Sequence, residues 1–494
     1  MKRVVLSLLA CAIILLCAPP AAFAAANPAA GEPSALPALP DSELPSAAAQ
    51  SGAQSQGADS GPAVTAEGAI LIEQSTGNIL YSKNIHERMY PASMTKLMTC
   101  MIVLDNLKPA DTVVVGPEIS AVPADASKAG NFAGETITVE NIIRALMVPS
   151  GDDTACVAAM AVAKKVKGVN SLDFDAAETV FADLMNKKAK ALGAAETNFV
   201  NPHGYHDDNH YTTPYDMAII ARAAIQYDLI RRMAAEKSFA GNGAGQSITP
   251  GSKLKTKEYN WNTRNLLIVD GQYYYPYATG LKTGFTDQAG SCLAGSATKD
   301  GVGLISVLMR DTDTGRWVDT QTLMEYGFNN FSFQTIQTEG ATVTSIGVSN
   351  TVKGSNDTLE LTGVSKITDF AANDIADTLQ KQITYDPKYL VTDEKTGART
   401  LKAPIKQGDI VGKISYTKDG AAVYSSDIAA SRDVAERTFG TDVSYYLKKA
   451  RDAVFSPVGL GVIAAAAIVI IIAAIAGVRR RNRNDFRYGG RRRY

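Results

Sequence analysis

The uncharged run Val458–Val478 constrains this chain more than any other feature. Its 21 residues include no charged or strongly polar side chain. As a helix the run would be about 31 Å long, which matches the hydrocarbon core of a bilayer. An arginine-rich tail, 479–494, follows directly, and positive residues beside a span are retained on the cytoplasmic side. We therefore predict a single-pass transmembrane helix over 458–478 in the cell membrane, a basic cytoplasmic tail, and an extracytoplasmic location for the rest of the chain.

The opposite terminus carries the pattern of an export signal. Lys2 and Arg3 precede an apolar run and a small-residue cleavage pattern that ends at Ala24. This order is typical of a secretory signal peptide, here residues 1–24. Residues 25–62 consist mainly of Ala, Pro, Ser and Gly, without any aromatic or β-branched residue. Such a segment cannot form a core, so we predict a disordered linker.

Charge and cysteine content exclude several classes of protein. The net charge of the chain is −1, but residues 1–24 contribute +2 and 479–494 contribute +7, so the body carries −10. A body this acidic has no electrostatic reason to bind nucleic acid. After signal cleavage three cysteines remain, Cys100, Cys156 and Cys292. An odd number at no metal-ligand spacing predicts no disulfide framework and no cysteine metal site.

The folded part of the chain begins with a predicted β-hairpin, Gly68–Glu73 and Asn78–Lys83, around a Ser-Thr-Gly turn. Helical patterns come next, and strand-like runs return later. Helices are predicted over Ser93–Asn106, Val139–Ala163, Ala176–Leu192 and Tyr215–Tyr227, and strands over Gly280–Gly284, Ser291–Ala297 and Gly303–Met309. This order indicates an α+β layer in which helices pack on an antiparallel sheet.

Beyond Phe331 the composition shifts to Thr, Val, Ser and Gly with short strand-like runs. We predict a separate β-rich module over 332–435. Its predicted strands are Thr342–Val348, Thr358–Thr362, Thr400–Ile405 and Ile410–Tyr416. A juxtamembrane segment, 436–457, mixes basic and apolar residues and is predicted to lie along the membrane surface as an amphipathic helix.

Ser93 and Lys96 form a Ser-x-x-Lys pattern on the first predicted helix. Residues three apart share one helix face, so the lysine amine can reach the serine hydroxyl. A serine near neutral pH is a poor nucleophile and needs an adjacent base. A lysine can serve once burial and nearby positive charge favour its neutral form. The pattern recurs at Ser252/Lys255, Ser296/Lys299 and Ser415/Lys418. On its own it is therefore a weak signal.

Two further motifs strengthen the evidence that the Ser93–Lys96 pattern is functional. Ser150-Gly151-Asp152 lies in a break before a helix, as a hydroxyl presented on a tight loop requires. Lys282-Thr283-Gly284 lies in a strand-like run. In order and setting, the three elements match the motif set of penicillin-binding proteins and class A β-lactamases. A second Lys-Thr-Gly, at 395–397, lies in a hydrophilic turn that we interpret as a hairpin tip.

Four longer strings narrow the resemblance. They are Tyr90–Thr99, Val148–Ala158, Asn198–Ala224 and Gly280–Ala297. These strings closely resemble D-alanyl-D-alanine carboxypeptidases, the low-molecular-mass penicillin-binding proteins of the Ser-x-x-Lys peptidase family. The resemblance covers 63–435. It implies an α+β fold in which a penicillin-binding/β-lactamase-like catalytic domain (63–331) is followed by a small β-rich domain (332–435) and a C-terminal transmembrane helix.

The resemblance also implies a reaction. Ser93 would attack the carbonyl between the last two D-alanines of a peptidoglycan stem peptide, and water would hydrolyse the resulting acyl-enzyme. Lys96 would take the serine proton, and Ser150 would help to pass it to the departing D-alanine. Penicillins and other β-lactams would acylate the same serine. No cofactor is implied.

Substrate-binding residues follow from the same resemblance. The predicted set is Asp152, Lys282, Thr283, Gly284, Phe285 and Arg316. The backbone amides of Ser93 and Phe285 would form the oxyanion hole, a task that needs two donors aimed at the developing charge. Lys282 and Thr283 would hold the terminal carboxylate of the substrate. Arg316 matches a further carboxylate-binding arginine across an alignment gap.

Asp152 departs from the family pattern, which usually has asparagine at this position. An asparagine side chain is neutral and can donate to the substrate. A carboxylate beside Lys96 would instead favour the charged form of the amine. We therefore expect that activity persists but requires a higher pH, or that Asp152 points elsewhere.

Three alternatives remain open at this stage. His203, His206 and His210 could bind zinc, but their spacing matches no zinc motif and the resemblance implies a metal-free loop, so we predict no metal. A β-lactamase would need a deacylating glutamate, and none is evident between Ser150 and Lys282. A non-catalytic peptidoglycan-binding or scaffold protein is conceivable because Asp152 replaces the asparagine that is usual in the family. An intact nucleophile with two lysines weighs against such a binder.

Overall fold

The computed structural model describes residues 61–244 and 255–485, with side chains up to residue 480. The predicted signal peptide, nearly all of the predicted linker, Ser252 and the end of the basic tail lie outside the described residues. In the first part of the chain the strands are β1 (Gly68–Glu73), β2 (Ile79–Lys83), β3 (Thr112–Val114), β4 (Thr136–Thr138), β5 (Ser238–Asn242), β6 (Glu258–Asn262), β7 (Ala278–Thr286), β8 (Gly290–Lys299) and β9 (Val302–Asp311). The helices are α1 (Lys96–Asn106), α2 (Val139–Met147), α3 (Asp152–Lys167), α4 (Phe174–Leu192), α5 (Pro214–Ala224), α6 (Asp228–Ala234) and α7 (Gly315–Asn330).

A five-stranded antiparallel sheet organises this part, in the order β2-β1-β9-β8-β7. Alternate residues of β1 enter two different apolar cores. Ile70 and Ile72 pack with residues of α1, α2 and α5, whereas Leu71 packs with residues of α7. Helices thus cover both faces, which explains why β1 reads as an unbroken apolar run. The predicted hairpin is confirmed by the pairing of β1 with β2, and the three returning strands are confirmed as β7, β8 and β9.

The predicted break before a helix that begins near Asp152 is confirmed. The helical pattern over Val139–Ala163 corresponds to two helices, α2 and α3, which are separated between Met147 and Asp152. Pro149 has no amide hydrogen for the helical ladder, and Ser150 adopts a left-handed conformation with φ of 65°. The chain therefore leaves α2 and starts a new helix at Asp152. This break presents the second predicted motif.

The rest of the described chain is rich in strands. These are β10 (Phe331–Gln337), β11 (Thr342–Ser349), β12 (Thr358–Gly363), β13 (Ile367–Ala372), β14 (Gln380–Tyr385), β15 (Leu390–Thr392), β16 (Arg399–Lys402), β17 (Ile410–Lys418) and β18 (Ala421–Ala430), with helices α8 (Ile375–Thr378), α9 (Phe439–Val454) and α10 (Pro457–Asp485). Seven strands form one sheet in the order β14-β17-β18-β12-β11-β16-β15. The second Lys-Thr-Gly sequence lies at the turn between the antiparallel strands β15 and β16, so its interpretation as a hairpin tip is confirmed.

α10 has the properties expected of a membrane span. Within its segment Pro457–Arg480, an 18-residue window has a mean hydropathy of 3.0, and none of that window is buried against the protein. The preceding helix α9 carries an exposed apolar stripe on one face. The stripe consists of Phe439, Val443, Tyr446 and Leu447.

Candidate active site

Ser93 and Lys96 lie where a short 3₁₀ helix, Ala92–Thr95, runs into α1. The two residues are one turn apart, and Lys96 Nζ lies 2.8 Å from Ser93 Oγ. The lysine side chain is fully buried. The structure therefore brings a serine hydroxyl and a dehydrated amine into direct hydrogen-bond contact, the arrangement that activation of a serine requires.

Two further oxygens surround the same amine. Lys96 Nζ donates to Asp152 Oδ1 at 2.5 Å and to the backbone carbonyl of His203 at 2.8 Å. Asp152 is the first residue of α3, and its side chain is only 7% exposed. With the serine hydroxyl, Nζ has three oxygen partners, enough for every hydrogen of an ammonium group. Of the two expectations for Asp152, the one in which it points elsewhere is wrong.

Ser150, two residues before Asp152, has a strained backbone conformation. It precedes the N-cap of α3, and its φ of 65° is uncommon for a residue with a side chain. Its hydroxyl is buried and has no hydrogen-bond partner among the described residues. Ala92 and Leu281, which adjoin Ser93 and Lys282, also have positive φ values of 47° and 82°. Three such positions around one site are typical of functional strain.

Lys282 lies on β7, with its ammonium group buried beside the site. Its Nζ donates to the carbonyl oxygen of Thr283 at 3.0 Å. Burial lowers the pKa of Lys282 well below its usual value, and the positive charges of Lys96 and Arg264 lower it further. An anion entering the site would relieve this electrostatic penalty. The region is thus prepared to accept a negatively charged group.

Gly284 allows β7 to approach Ser93 closely. A Cβ atom at this position would lie 2.9 Å from the Pro91 carbonyl oxygen and 3.3 Å from the Ser93 amide nitrogen. The backbone that continues to Phe285 therefore runs beside the Ser93 amide. The Phe285 side chain is 61% exposed, so what this residue can offer the site is its backbone.

Arg316, on α7, lies against the same strand. Its Nη1 is 3.4 Å from the carbonyl oxygen of Gly284, and Nη2 donates to Asp313 at 2.5 Å. Its Nε is buried and has no partner among the described residues. All the predicted catalytic and substrate-binding residues therefore lie on four neighbouring segments: the start of α1, the start of α3, β7 and the start of α7.

Comparison with known proteins identifies the family. The family model described as D-alanyl-D-alanine carboxypeptidase matches residues 54–313, more than half of the chain. This chain belongs to the D-alanyl-D-alanine carboxypeptidase family. A second family model, the C-terminal domain of penicillin-binding protein 5, matches residues 331–436 of the carboxypeptidase. The expectation of a serine-type hydrolase of this family is confirmed.

Relatives and a solved structure agree over most of the carboxypeptidase. The D-alanyl-D-alanine carboxypeptidase DacA of Haemophilus influenzae is 31% identical over 386 residues, which cover 76% of this chain and 86% of the relative. DacF of Bacillus subtilis is 29% identical and covers 76% of this chain and 87% of its own length. The crystal structure of penicillin binding protein 5 from Haemophilus influenzae is 27% identical, covers 76% of this chain and 99% of its own, and has a TM-score of 0.52. The predicted α+β fold class, with its β-rich second domain, is confirmed.

The histidines of the carboxypeptidase have separate structural contacts. Among the described residues, no three His, Cys, Asp or Glu side chains are grouped to hold a metal. His203 accepts a hydrogen bond from the amide of Tyr205, and His210 lies 2.8 Å from Thr95 Oγ1. Burial lowers the pKa of each to about 3. Both imidazoles are therefore neutral and serve as fixed hydrogen-bonding groups in the loop beside Lys96.

Sequence reasoning missed several residues that shape the site. Asp153 accepts hydrogen bonds from the amides of Ala129, Gly130 and Asn131 and so holds a loop against the start of α3. Arg264 adds positive charge near Lys282. Two adjacent acids at a helix start are a recognisable signal, but no sequence pattern indicates the loop that the second acid binds.

Proposed function

We propose that Ser93 is the nucleophile and that the enzyme removes the terminal D-alanine from peptidoglycan stem peptides. The observation that carries this proposal is the 2.8 Å contact between Lys96 Nζ and Ser93 Oγ in a buried setting. A neutral Lys96 would accept the hydroxyl proton as Oγ attacks the peptide carbonyl. The acyl-enzyme that forms would then be hydrolysed by water, and Ser93 would regain its proton.

Ser150 would relay the proton to the leaving group. Its buried hydroxyl lacks a partner, which is costly unless a bound molecule supplies one. The amine of the departing D-alanine is a suitable acceptor during acyl transfer. The backbone amides of Ser93 and Phe285 would stabilise the oxyanion, since the close approach at Gly284 brings the two backbone segments side by side.

The C-terminal carboxylate of the substrate would bind to the positive groups of β7 and α7. Lys282 and Arg316 are both largely buried, and Thr283 offers a hydroxyl beside them. A charge-assisted hydrogen bond in such a setting is stronger than one between neutral groups. A free carboxylate at the chain end would therefore be the feature that selects the substrate, and penicillins, which carry a carboxylate and a reactive carbonyl, would acylate the same serine.

We further propose that the enzyme acts outside the cell while anchored by α10. Supporting this are the apolar span, the arginines that follow it and the export signal pattern at 1–24. In this arrangement the catalytic domain (63–331) and the β-rich domain (332–435) face the peptidoglycan. The segment 436–457 lies at the membrane surface, 458–478 crosses the membrane, and 479–494 is cytoplasmic.

Labelling with a tagged penicillin tests the proposed nucleophile. We expect the full chain in detergent to be labelled and the Ser93→Ala variant to remain unlabelled. Release of D-alanine from a short peptide ending in D-Ala-D-Ala should disappear in the same variant. Ser415→Ala is the matched control, because Ser415 belongs to another Ser-x-x-Lys pattern on β17 of the second domain. Labelling that survives in Ser93→Ala would show that a different residue is the nucleophile.

A further inference from the structure

The three partners of Lys96 restrict where its protons can lie. The His203 carbonyl oxygen can only accept, and so can an ionised Asp152. A neutral amine has two hydrogens and one lone pair. If those hydrogens point at His203 and Asp152, the lone pair points at Ser93, which is the geometry needed to take the serine proton. The site is thus built for a neutral amine, provided that one proton leaves Lys96.

That proton has one suitable destination close by. Asp152 Oδ1 lies 2.5 Å from Nζ. Loss of the proton to solvent would instead leave a buried carboxylate without a counter-ion, which is strongly unfavourable. Transfer within the pair keeps its net charge at zero. The proton can therefore move from Lys96 to Asp152 without passing through solvent.

The other titratable groups around the pair do not accept the proton that leaves Lys96. The groups that face it from neighbouring elements are Cys100 on α1, Cys156 on α3, Lys282 on β7, Arg264 before β7, and His203, Tyr205 and His210 in the loop before α5. Burial raises the pKa of Cys100 to about 12, so it stays a thiol. Burial holds the pKa of His203 and His210 near 3, so neither accepts a proton readily.

The second oxygen of Asp152 is free for such a proton. Within the described part of the chain, no residue donates a hydrogen bond to Oδ2. After Oδ1 takes the proton, rotation of the carboxyl group about Cβ–Cγ exchanges the two oxygens. The unprotonated oxygen then faces Lys96 and accepts from it, while the protonated oxygen takes the free position.

We propose that Asp152 carries the proton of the Lys96–Asp152 pair while Ser93 is acylated. The inference rests on the proposed roles of Ser93 and Lys96. One proton passes from Lys96 Nζ to Asp152, which leaves a neutral amine and a neutral acid. The Ser93 hydroxyl then gives its proton to Nζ as Oγ bonds to the carbonyl carbon. Lys96 passes that proton through Ser150 to the leaving amine as the C–N bond breaks, and Asp152 keeps its own proton throughout.

This protonated acid is equivalent to an asparagine. One oxygen accepts from Lys96, and the other group, O–H in place of N–H, can donate to an acceptor on the substrate. While the pair holds a single proton, the ratio of its two arrangements does not vary with pH, because transfer within the pair neither takes up nor releases a proton. The acylation rate should therefore be nearly flat across neutral pH, in place of the higher-pH requirement expected from the sequence, and Asp152→Asn should show the same flat profile.

The test compares penicillin acylation rates of four proteins as full chains in detergent between about pH 6 and pH 8. They are the wild type, Asp152→Asn, Asp152→Ala and, as a control, Asp287→Asn. Asp287 is exposed, and its charge acts on Tyr205 as that of Asp152 does. We expect the control to stay within about threefold of the wild type at each pH. Asp152→Asn should keep the flat pH profile of the wild type. The alanine variant, which loses the acceptor for Lys96, should fall at least about a hundredfold.

Two results would overturn the inference. If Asp152→Asn falls as far as Asp152→Ala, an ionised carboxylate is required. If Asp152→Asn exceeds the wild type by more than about tenfold near pH 6 and the gap closes near pH 8, Asp152 is an inhibitory charge. A wild type that is not labelled at all would refute the proposed function itself, and this inference with it.

Infrared difference spectroscopy of the acyl-enzyme supplies an independent readout. The wild type should show the carbonyl stretch of a protonated carboxylic acid, shifted in D₂O, and Asp152→Asn should lack it. This band reports the proton on Asp152 directly and does not depend on the stability of any variant. Its absence from the wild-type acyl-enzyme would also overturn the inference.

Discussion

His210 shows how a neutral side chain positions the nucleophile. The amide of Val200 donates to its Nδ1, so the hydrogen of the neutral ring is assigned to Nε2. Nε2 then donates to the Thr95 hydroxyl, which in turn donates to the carbonyl of Ala92 at 2.7 Å. Thr95 lies between Ser93 and Lys96 in sequence. The imidazole therefore fixes the turn that carries both groups.

Acid should weaken this arrangement. The pKa of His210 is about 3 in the folded protein against a usual value of 6.5, so the unfolded chain binds more protons between these two pH values. The free energy of unfolding should accordingly fall as the pH drops below 6.5, by about 2 kcal/mol for such a histidine at about pH 5. Urea unfolding followed by tryptophan fluorescence measures this, since both tryptophans, Trp261 and Trp317, lie in the catalytic domain.

A His210→Gln variant isolates the effect. Glutamine keeps an acceptor and a donor but does not titrate, so the free energy of unfolding should fall less steeply with acid than in the wild type. Above about pH 7 the two proteins should run parallel. Glu178, whose pKa burial raises to about 7, titrates in the opposite sense in both proteins. Equal slopes for variant and wild type below pH 6.5 would contradict the role of His210.

At the scale of elements, the start of α3 is fixed from outside the helix. Its N-cap, Gly151, offers no side chain to accept from the first amides. Instead the Asp152 amide donates to the carbonyl of Ser127 at 2.7 Å, and Asp153 accepts from three amides of the adjacent loop at 2.8, 2.8 and 3.2 Å. The loop thus sets the position of both Ser150 and Asp152.

Removal of this contact should affect stability and activity together. Asp153→Ala leaves three amides without their acceptor, and we expect a loss on the order of 2–4 kcal/mol in the free energy of unfolding. Penicillin acylation should slow because Ser150 and Asp152 lose their support. Trp261 donates to the Ala129 carbonyl at 2.9 Å, so its fluorescence should also change before global unfolding.

Asp173→Ala is the matched control for this experiment. Asp173 caps α4 by accepting from the amides of Asp175 and Ala176, and α4 carries no proposed site residue. This variant should lose about 1 kcal/mol and acylate at the wild-type rate. Equal acylation by the Asp153 and Asp173 variants would show that the loop does not support the site.

Local patterns predicted most of these elements, whereas the site depends on contacts that no local pattern contains. The β1–β2 hairpin and the Ser93–Lys96 contact follow from short-range spacing. The break between α2 and α3 follows from the local sequence Pro149-Ser150-Gly151. The bond from Lys96 to Asp152 joins residues 56 positions apart. Only the packing of α1 against α3 shows that the carboxylate points at the amine.

At the scale of the whole molecule, the β-rich domain is packed onto the catalytic domain. Phe331 and Phe370 belong to the same apolar core as Trp317 of α7. Asn78, at the tip of the β1–β2 hairpin, donates to the Asp369 carboxylate at 2.6 Å. The central sheet and the second domain are therefore joined by buried contacts as well as by the chain.

Removal of α10 should release the protein without affecting its chemistry. A chain that ends at Ser456 lacks the whole apolar segment that begins at Pro457, and we expect it to leave the membrane fraction. Its penicillin labelling per molecule should equal that of the full chain, because every proposed site residue precedes β10. A chain that ends at Arg483 keeps the span and should remain membrane-bound. If the chain that ends at Ser456 also stays with the membrane, the exposed apolar stripe of α9 is sufficient for attachment, and the single-helix anchor is wrong.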